Sequence, residues 1–423
     1  MLVQNLIQVI DTAFLGHVGE VELGASAIGG IYYIAIFTIA FGFSTGAQIL
    51  IGRRNGEQNF NRIGETFLFG TAFLWIIALF IFYFTRWSSG PILAKMLHSP
   101  NVLKASIEYL DWRIGGLFFA SINVMFRAFF IGIIRTKVLT FNAIVMALTN
   151  VLFDYLLIFG KGGFPEMGIS GAALASVISE AVSTVFFIIY LLLSIDLKKY
   201  GFTGILWKNF RVVQNILSVS ISLMIQYFLS LSTWLLFFLV IERMGETTLA
   251  ISNIVRSFYM IFGIPVFALS STSSTLVSNT IGAGKSNEVI ALIWKIARLA
   301  LTIVLVLTIF LFLFPEPFLR IYTSDPELIL GSIPSLHVIL VVLLTLSVGN
   351  VFFQSVSGTG NTRWALIIES IVLVIYIIWI WFTAIHLKAS LAVCWVAEWI
   401  YAFLIGLLSF FYFRYAKWQD KKI

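Results

Sequence analysis

Apolar residues in this chain come in runs of about 20, the length a helix needs to cross the hydrocarbon core of a bilayer. Short polar stretches separate them. Twelve runs can be marked, near residues 1–16, 24–50, 66–86, 107–133, 138–159, 168–193, 212–241, 249–278, 289–314, 333–357, 364–386 and 390–414. The pattern predicts an all-α integral membrane protein. The first run is too short to span, so its helix is read as N-terminally truncated.

The polar connections give an orientation. Basic residues gather in alternate ones: Arg53, Arg54 and Arg62; Arg135 and Lys137; Lys198, Lys199, Lys208 and Arg211; Lys285; Arg363; and the tail Arg414, Lys417, Lys421 and Lys422. The positive-inside rule then places both termini in the cytoplasm, as an even helix count requires. The longest polar break, Asp196–Arg211, divides the runs six and six. The expected organisation is an N-terminal lobe over 1–195, a cytoplasmic linker over 196–211, a C-terminal lobe over 212–415 and a cytoplasmic tail over 416–423.

The two halves repeat. Gly132 and Gly358, Thr136 and Thr362, and Lys137 and Arg363 coincide at one offset of 226 residues. Leu23 meets Leu249, Ile28 meets Ile254 and Tyr33 meets Tyr259 at the same offset. An even number of helices per repeat gives both halves the same orientation. That predicts two lobes related by a pseudo-two-fold along the membrane normal, with the substrate site between them.

Composition agrees. Of 423 residues, 60% are hydrophobic and 11% charged, against roughly 25% charged in soluble domains. The net charge of +7 then belongs to cytoplasmic loops and does not mark nucleic-acid binding. A single cysteine, Cys394, excludes an intramolecular disulfide and a cysteine-based metal site. His17, His98, His337 and His386 show no ligand spacing. GTGN at 358–361 has neither a preceding strand nor a following GK[ST], so it is no phosphate loop. With no nucleotide motif and no serine–histidine constellation, an enzyme is not expected, and transport would draw on an ion gradient. Met1–Gly16 lacks the basic start of a secretory signal.

The candidate chemistry lies in the intramembrane acids. Asp154 sits in TNVLFDYLLIFG with no lysine or arginine beside it. A carboxylate at that depth costs about 2.5–3.5 kcal/mol on insertion scales and needs a partner or a wet cavity. Asn150, four residues earlier, falls on the same helix face. At the offset of 226, Tyr376 and Ile380 stand in their places, so the pair belongs to the first half alone. Asp11, in IQVIDTAFLG, is the second acid. Two carboxylates brought together in a dry cavity cannot both ionise cheaply and suit uptake of H⁺ or Na⁺. Glu180 aligns with Glu398 at a shorter offset of 218, so it is read as support behind the ligands. Ser176, one turn before Glu180, offers a hydroxyl. Glu369, near the Arg363 loop, is read as interfacial. Gln48, Gln226, Tyr227, Asn253, Tyr259 and Gln354, with Trp234, are candidates to line a cavity for a flat cation.

In combination these residues resemble a known family. IDTAFLGHVGEVELGA, GFSTGAQILIGRRNGEQN, TNVLFDYLLIFG and GISGAALASVISE are similar to the multidrug and toxic compound extrusion (MATE) family through nearly the whole chain. The resemblance implies two six-helix lobes around a cleft open alternately to each side. It implies export of small amphipathic, often cationic compounds in exchange for H⁺ or Na⁺, with no other cofactor. Carried over by position, Asp11 matches the first-helix acid of the family's N-lobe cation site, and Asn150 and Asp154 its fifth-helix Asn-xxx-Asp. Ser176 stands where many members have Thr. The chain departs from the branch with C-lobe acids on the seventh and tenth helices: Val212–Ile241 and the stretch near Gly349–Asn350 carry none. Coupling is therefore expected in the N-lobe. The expected setting is a bacterial inner membrane, with lipid as surroundings and a monomer as the working unit. The alternative is a lipid-linked oligosaccharide flippase of the same superfamily. It would need a strongly basic cavity, yet Arg113, Arg127 and Arg256 are the few basic residues mid-helix.

Overall fold

The described residues form twelve α-helices of 14 residues or more. The computed structural model describes residues 10–11, 14–97, 99–203, 211–323, 325–419, 421 and 423. The helices are α1 (Glu20–Gly56), α2 (Asn61–Met96), α3 (Pro100–Arg113), α4 (Gly116–Gly132), α5 (Lys137–Ile158), α6 (Gly168–Ser194), α7 (Arg211–Glu242), α8 (Glu246–Gly282), α9 (Val289–Leu313), α10 (Pro326–Gly358), α11 (Thr362–Ile380) and α12 (Leu391–Tyr415). Strands are absent among the described residues. Ten described helices are long and apolar enough to cross a membrane, and the pair α3–α4 makes up to eleven. The first run, 1–16, lies outside the described residues except at 10–11 and 14–16, where the chain is helical.

Local sequence sets the ends. Ser99 caps α3 by accepting from Val102 N (3.4 Å), with Pro100 at the first helical position. Asp325 caps α10 in the same way through Glu327 N (2.9 Å), ahead of Pro326. In both, the side chain satisfies an amide that the first turn leaves unpaired, and proline occupies a position that needs no donor.

The run at 107–133, expected as one helix, is two. The axes of α3 and α4 bend by 52° at Ile114–Gly115. Arg113 at the end of α3 reaches Glu180 of α6. A Cβ on Gly116 would stand 2.3 Å from Glu180 Oε2 and 2.4 Å from Arg113 Nη1. The paired glycines let the backbone turn beside a buried ion pair.

Contacts divide the chain into two units, Met1–Asn55 with Asn59–Ser220, and Gly56–Gln58 with Ile221–Ile423. In the first, α5 packs along α6, and α6 also packs against α3 and α4. Gly171 makes the α5–α6 approach close, since a Cβ there would lie 2.7 Å from the Leu157 carbonyl. Small residues let helix backbones touch in lipid, where dispersion replaces the hydrophobic drive. In the second unit α10 is central, packing on α8, α9, α11 and α12. Its core holds Phe237, Val255, Val351, Phe353 and Trp395. Large apolar side chains such as Trp75, Ile76, Phe80 and Tyr83 of α2 stay exposed, as suits helices solvated by acyl chains.

Candidate cation site

Three predicted residues come together inside the first unit. Asn150 and Asp154, one turn apart on α5, are both fully buried. With the Asn150 amide oriented by its surroundings, its nitrogen donates to Asp11 Oδ1 at 2.9 Å and to Asp154 Oδ2 at 3.2 Å. One amide thus bridges two carboxylates. The second oxygen of Asp154, Oδ1, is buried with no hydrogen-bond partner.

The segment that carries Asp11 is anchored by its apolar neighbours. Phe14 meets the Phe159 ring edge-on at 5.8 Å. Leu15 is buried with Ile158, Ile169 and Ala172. These contacts tie residues 14–15 to the junction of α5 and α6, and so hold Asp11 at the α5 face that presents Asn150. Ser176 of α6 is half-buried. Its carbonyl accepts from Ser179 Oγ at 2.8 Å, and its hydroxyl makes no hydrogen bond to either aspartate among the described residues. The structure therefore brings Asp11, Asn150 and Asp154 together and leaves Ser176 apart.

Glu180 has a partner that sequence reasoning missed. Arg113 grips it at two points, Nη2–Oε1 2.7 Å and Nη1–Oε2 3.0 Å. The guanidinium also lies 3.7 Å from the centre of the Tyr33 ring. The Tyr33 hydroxyl donates to Glu180 Oε1 at 3.4 Å. Asn123 Nδ2 donates to the Glu180 carbonyl at 2.9 Å and its oxygen accepts from Thr184 at 2.9 Å. Arg113 is also within electrostatic reach of Asp11. The available signal was Arg113 itself, a cation within an apolar run, for which a buried acid is the expected complement.

In the second unit Glu369, read as interfacial from its place near the Arg363 loop, is enclosed by protein and only 1% exposed. Ser230 and Tyr401 both donate to its Oε1, the latter at 2.9 Å. Glu398 accepts from Tyr376 (2.8 Å) and Trp234 Nε1 (3.1 Å). Of the cavity candidates, Tyr259 is buried beside Trp234, ring to ring at 6.1 Å. Gln226 is buried one turn before Ser230. Asn253 donates to Leu249 of its own helix (3.1 Å). Tyr227 and Gln354 are half-buried, and Gln48 is buried in the first unit.

The chain as a whole has known relatives. A model of the MatE family matches residues 1–156 and 220–382. The chain belongs to the MatE family. The probable multidrug resistance protein NorM of Thermotoga maritima is 28% identical over 376 residues, covering 88% of this chain and 79% of that protein. The NorM of Agrobacterium fabrum is 27% identical over 336 residues, covering 77% and 70%. A mutant of the Vibrio cholerae MATE transporter VcmN superposes with a TM-score of 0.90 at 16% identity, covering 99% of this chain and 95% of its own. An outward-facing multidrug resistance MATE family transporter of the MOP superfamily gives 0.89 at 18% identity, with 98% and 92% covered. The chain therefore has the MatE fold, a two-lobed, multi-pass membrane architecture, and the bridged aspartates lie in its N-terminal unit.

Proposed function

We propose that this chain is a secondary antiporter of the bacterial inner membrane. It exports amphipathic, often cationic drugs or toxic compounds and takes up a cation through Asp11 and Asp154. The carrying observation is the single amide of Asn150 shared by two carboxylates, with one buried oxygen of Asp154 left open. Two acids so close repel one another unless a cation accompanies them. A site of that kind binds its ion strongly in one state of the transporter and releases it in another. Occupancy shifts the conformational equilibrium by that difference in affinity.

H⁺ suits the pair because one proton relieves the repulsion between two close carboxylates without any further ligand. The relatives' naming as multidrug resistance proteins supports drugs as cargo. The flippase alternative is weakened by the arginines. Arg113 is neutralised by Glu180, Arg127 lies over the Phe41 ring (5.0 Å) and Arg256 over Phe238 (5.1 Å).

The test is ethidium transport in everted membrane vesicles with proton and sodium gradients imposed separately. Transport driven by the proton gradient and lost in Asp154→Asn at equal expression is expected. Undiminished transport in Asp154→Asn would remove the coupling role, and transport driven only by sodium would remove the proton.

A further inference from the structure

The second unit holds two deeply buried acids to which neither the family resemblance nor the exchange reading gives a task. Glu369 of α11 and Glu398 of α12 are 1% and 4% exposed. Each draws its hydrogen bonds from neutral donors. Ser230 and Tyr401 serve Glu369, and Tyr376 and Trp234 serve Glu398. The rings of Tyr376 and Tyr401 meet edge-on at 6.4 Å. The two acids thus belong to one polar cluster inside an apolar unit.

The contrast with Glu180 is decisive. Glu180 and Glu398 occupy equivalent places at the offset of 218, yet Glu180 is held by Arg113. At the offset of 226, Ile339 stands where Arg113 stands, and it is buried in the apolar core of the second unit. Among the described residues no lysine, arginine or histidine lies within ion-pair distance of Glu369 or Glu398. Arg256, one turn before Tyr259 on α8, lies over Phe238. His337 of α10 packs on Phe312 at 4.9 Å. Cys394, one turn before Glu398, faces Thr383 and Met244. The titratable groups that face the two acids are the tyrosines 259, 376 and 401.

Buried carboxylates without a counter-charge need a cation of their own. Two orphaned atoms point to where it goes. Glu369 Oε2 is buried with no partner, and so is Gln226 Oε1, on the face of α7 that presents Ser230. As a carboxylate oxygen, Glu369 Oε2 can only accept, and it has no donor to accept from. Once protonated, Oε2 becomes a donor, which is what a buried amide oxygen lacks. The surrounding donors argue against a metal ion. The Trp234 indole beside Glu398 can only donate and offers no lone pair to a metal ion. No group of three metal-ligating side chains occurs among the described residues.

We propose that Glu369 and Glu398 form a second proton-binding centre, in the C-terminal unit and distinct from Asp11 and Asp154. A carboxylate takes a proton from water to become a neutral acid, and the reverse step returns it. The inference concerns proton binding alone and stands whether or not the chain exports drugs.

Infrared spectroscopy of the full chain in lipid nanodiscs tests it. The background variant Asp11→Asn/Asp154→Asn removes the first site. It should retain a carboxylic-acid C=O band that shifts in D₂O. Adding Glu369→Gln and Glu398→Gln should abolish that band with helical content unchanged. Tyr401→Phe and Tyr376→Phe keep the ring packing and each remove one hydrogen bond, so each should move the band to higher frequency. These two variants decide the matter if the glutamine variants do not fold. No such band in the background, a band indifferent to all four substitutions, or a band erased by sodium at fixed pH would overturn the proposal. Ethidium transport by the parent chain in everted membrane vesicles separates its failure from failure of the antiporter reading.

Discussion

Arg113 and Glu180 form a two-pronged ion pair in the interior of the first unit, with contacts of 2.7 and 3.0 Å and both side chains about nine-tenths covered. Removing both charges from such a pair is often tolerated, whereas removing one leaves the other uncompensated. Glu180→Gln or Arg113→Leu should lower stability by about 3–5 kcal/mol. The double variant Arg113→Leu/Glu180→Leu should recover a large part of that loss. Unfolding in detergent, followed by circular dichroism, checks both.

Gly116 sits against that pair, and Gly116→Ala puts a methyl group where Glu180 and Arg113 meet. The acid or the guanidinium must move. A loss of about 1–3 kcal/mol is expected, in the range of overpacked interiors. In the Arg113→Leu/Glu180→Leu background the same change should cost less, because its obstacle is gone; a double-mutant cycle reads the difference.

Asn150→Leu replaces the shared amide of Asp11 and Asp154 by an apolar side chain of similar size. Two hydrogen bonds to carboxylates are lost, each worth about 1.5–3 kcal/mol. Proton-driven ethidium efflux should fall at least about tenfold. Asn150→Asp, which places a third acid beside the two, should fail as well. Efflux equal to that of the parent in Asn150→Leu would show that the bridge does not matter to coupling.

Gly171→Leu should separate α5 from α6, since even a Cβ meets the Leu157 carbonyl at 2.7 Å. The separation would move Asn150 and Asp154 away from the junction at which Leu15 anchors the Asp11 segment. Reduced thermal stability together with lost efflux is expected. Gly171→Ala should be milder in both, since the smaller side chain needs less room.

Efflux should also respond to pH with a definite sign. An inward proton gradient drives a proton-coupled exporter, so acidifying the outer face should raise efflux from cells, and a protonophore should abolish it. In Asp11→Asn/Asp154→Asn the response to external pH should flatten.

The sequence by itself determined the class of molecule and singled out Asn150 and the two aspartates it bridges. Bilayer thickness dictates the length of an apolar run, so the membrane-spanning stretches are written in the hydrophobic pattern, though not the break within 107–133. An acid far from any charge in such a run announces itself because burying it is costly. Asn150 was legible for the same local reason, one helical turn from Asp154. What lies between segments was not legible, because a helix displays its faces but not its neighbours. The pairing of Arg113 with Glu180 joins residues 67 positions apart. The bend at Ile114–Gly115 lies beside that pair, and Glu369 meets Ser230 and Tyr401 in the interior of the second unit. Near a loop in the chain, Glu369 read as interfacial; only the packing of α7, α11 and α12 decided that it is buried. Tertiary structure alone thus separated two repeat-equivalent acids, Glu180 held by a cation and Glu398 held by neutral donors, because counter-charge is a property of three-dimensional neighbours.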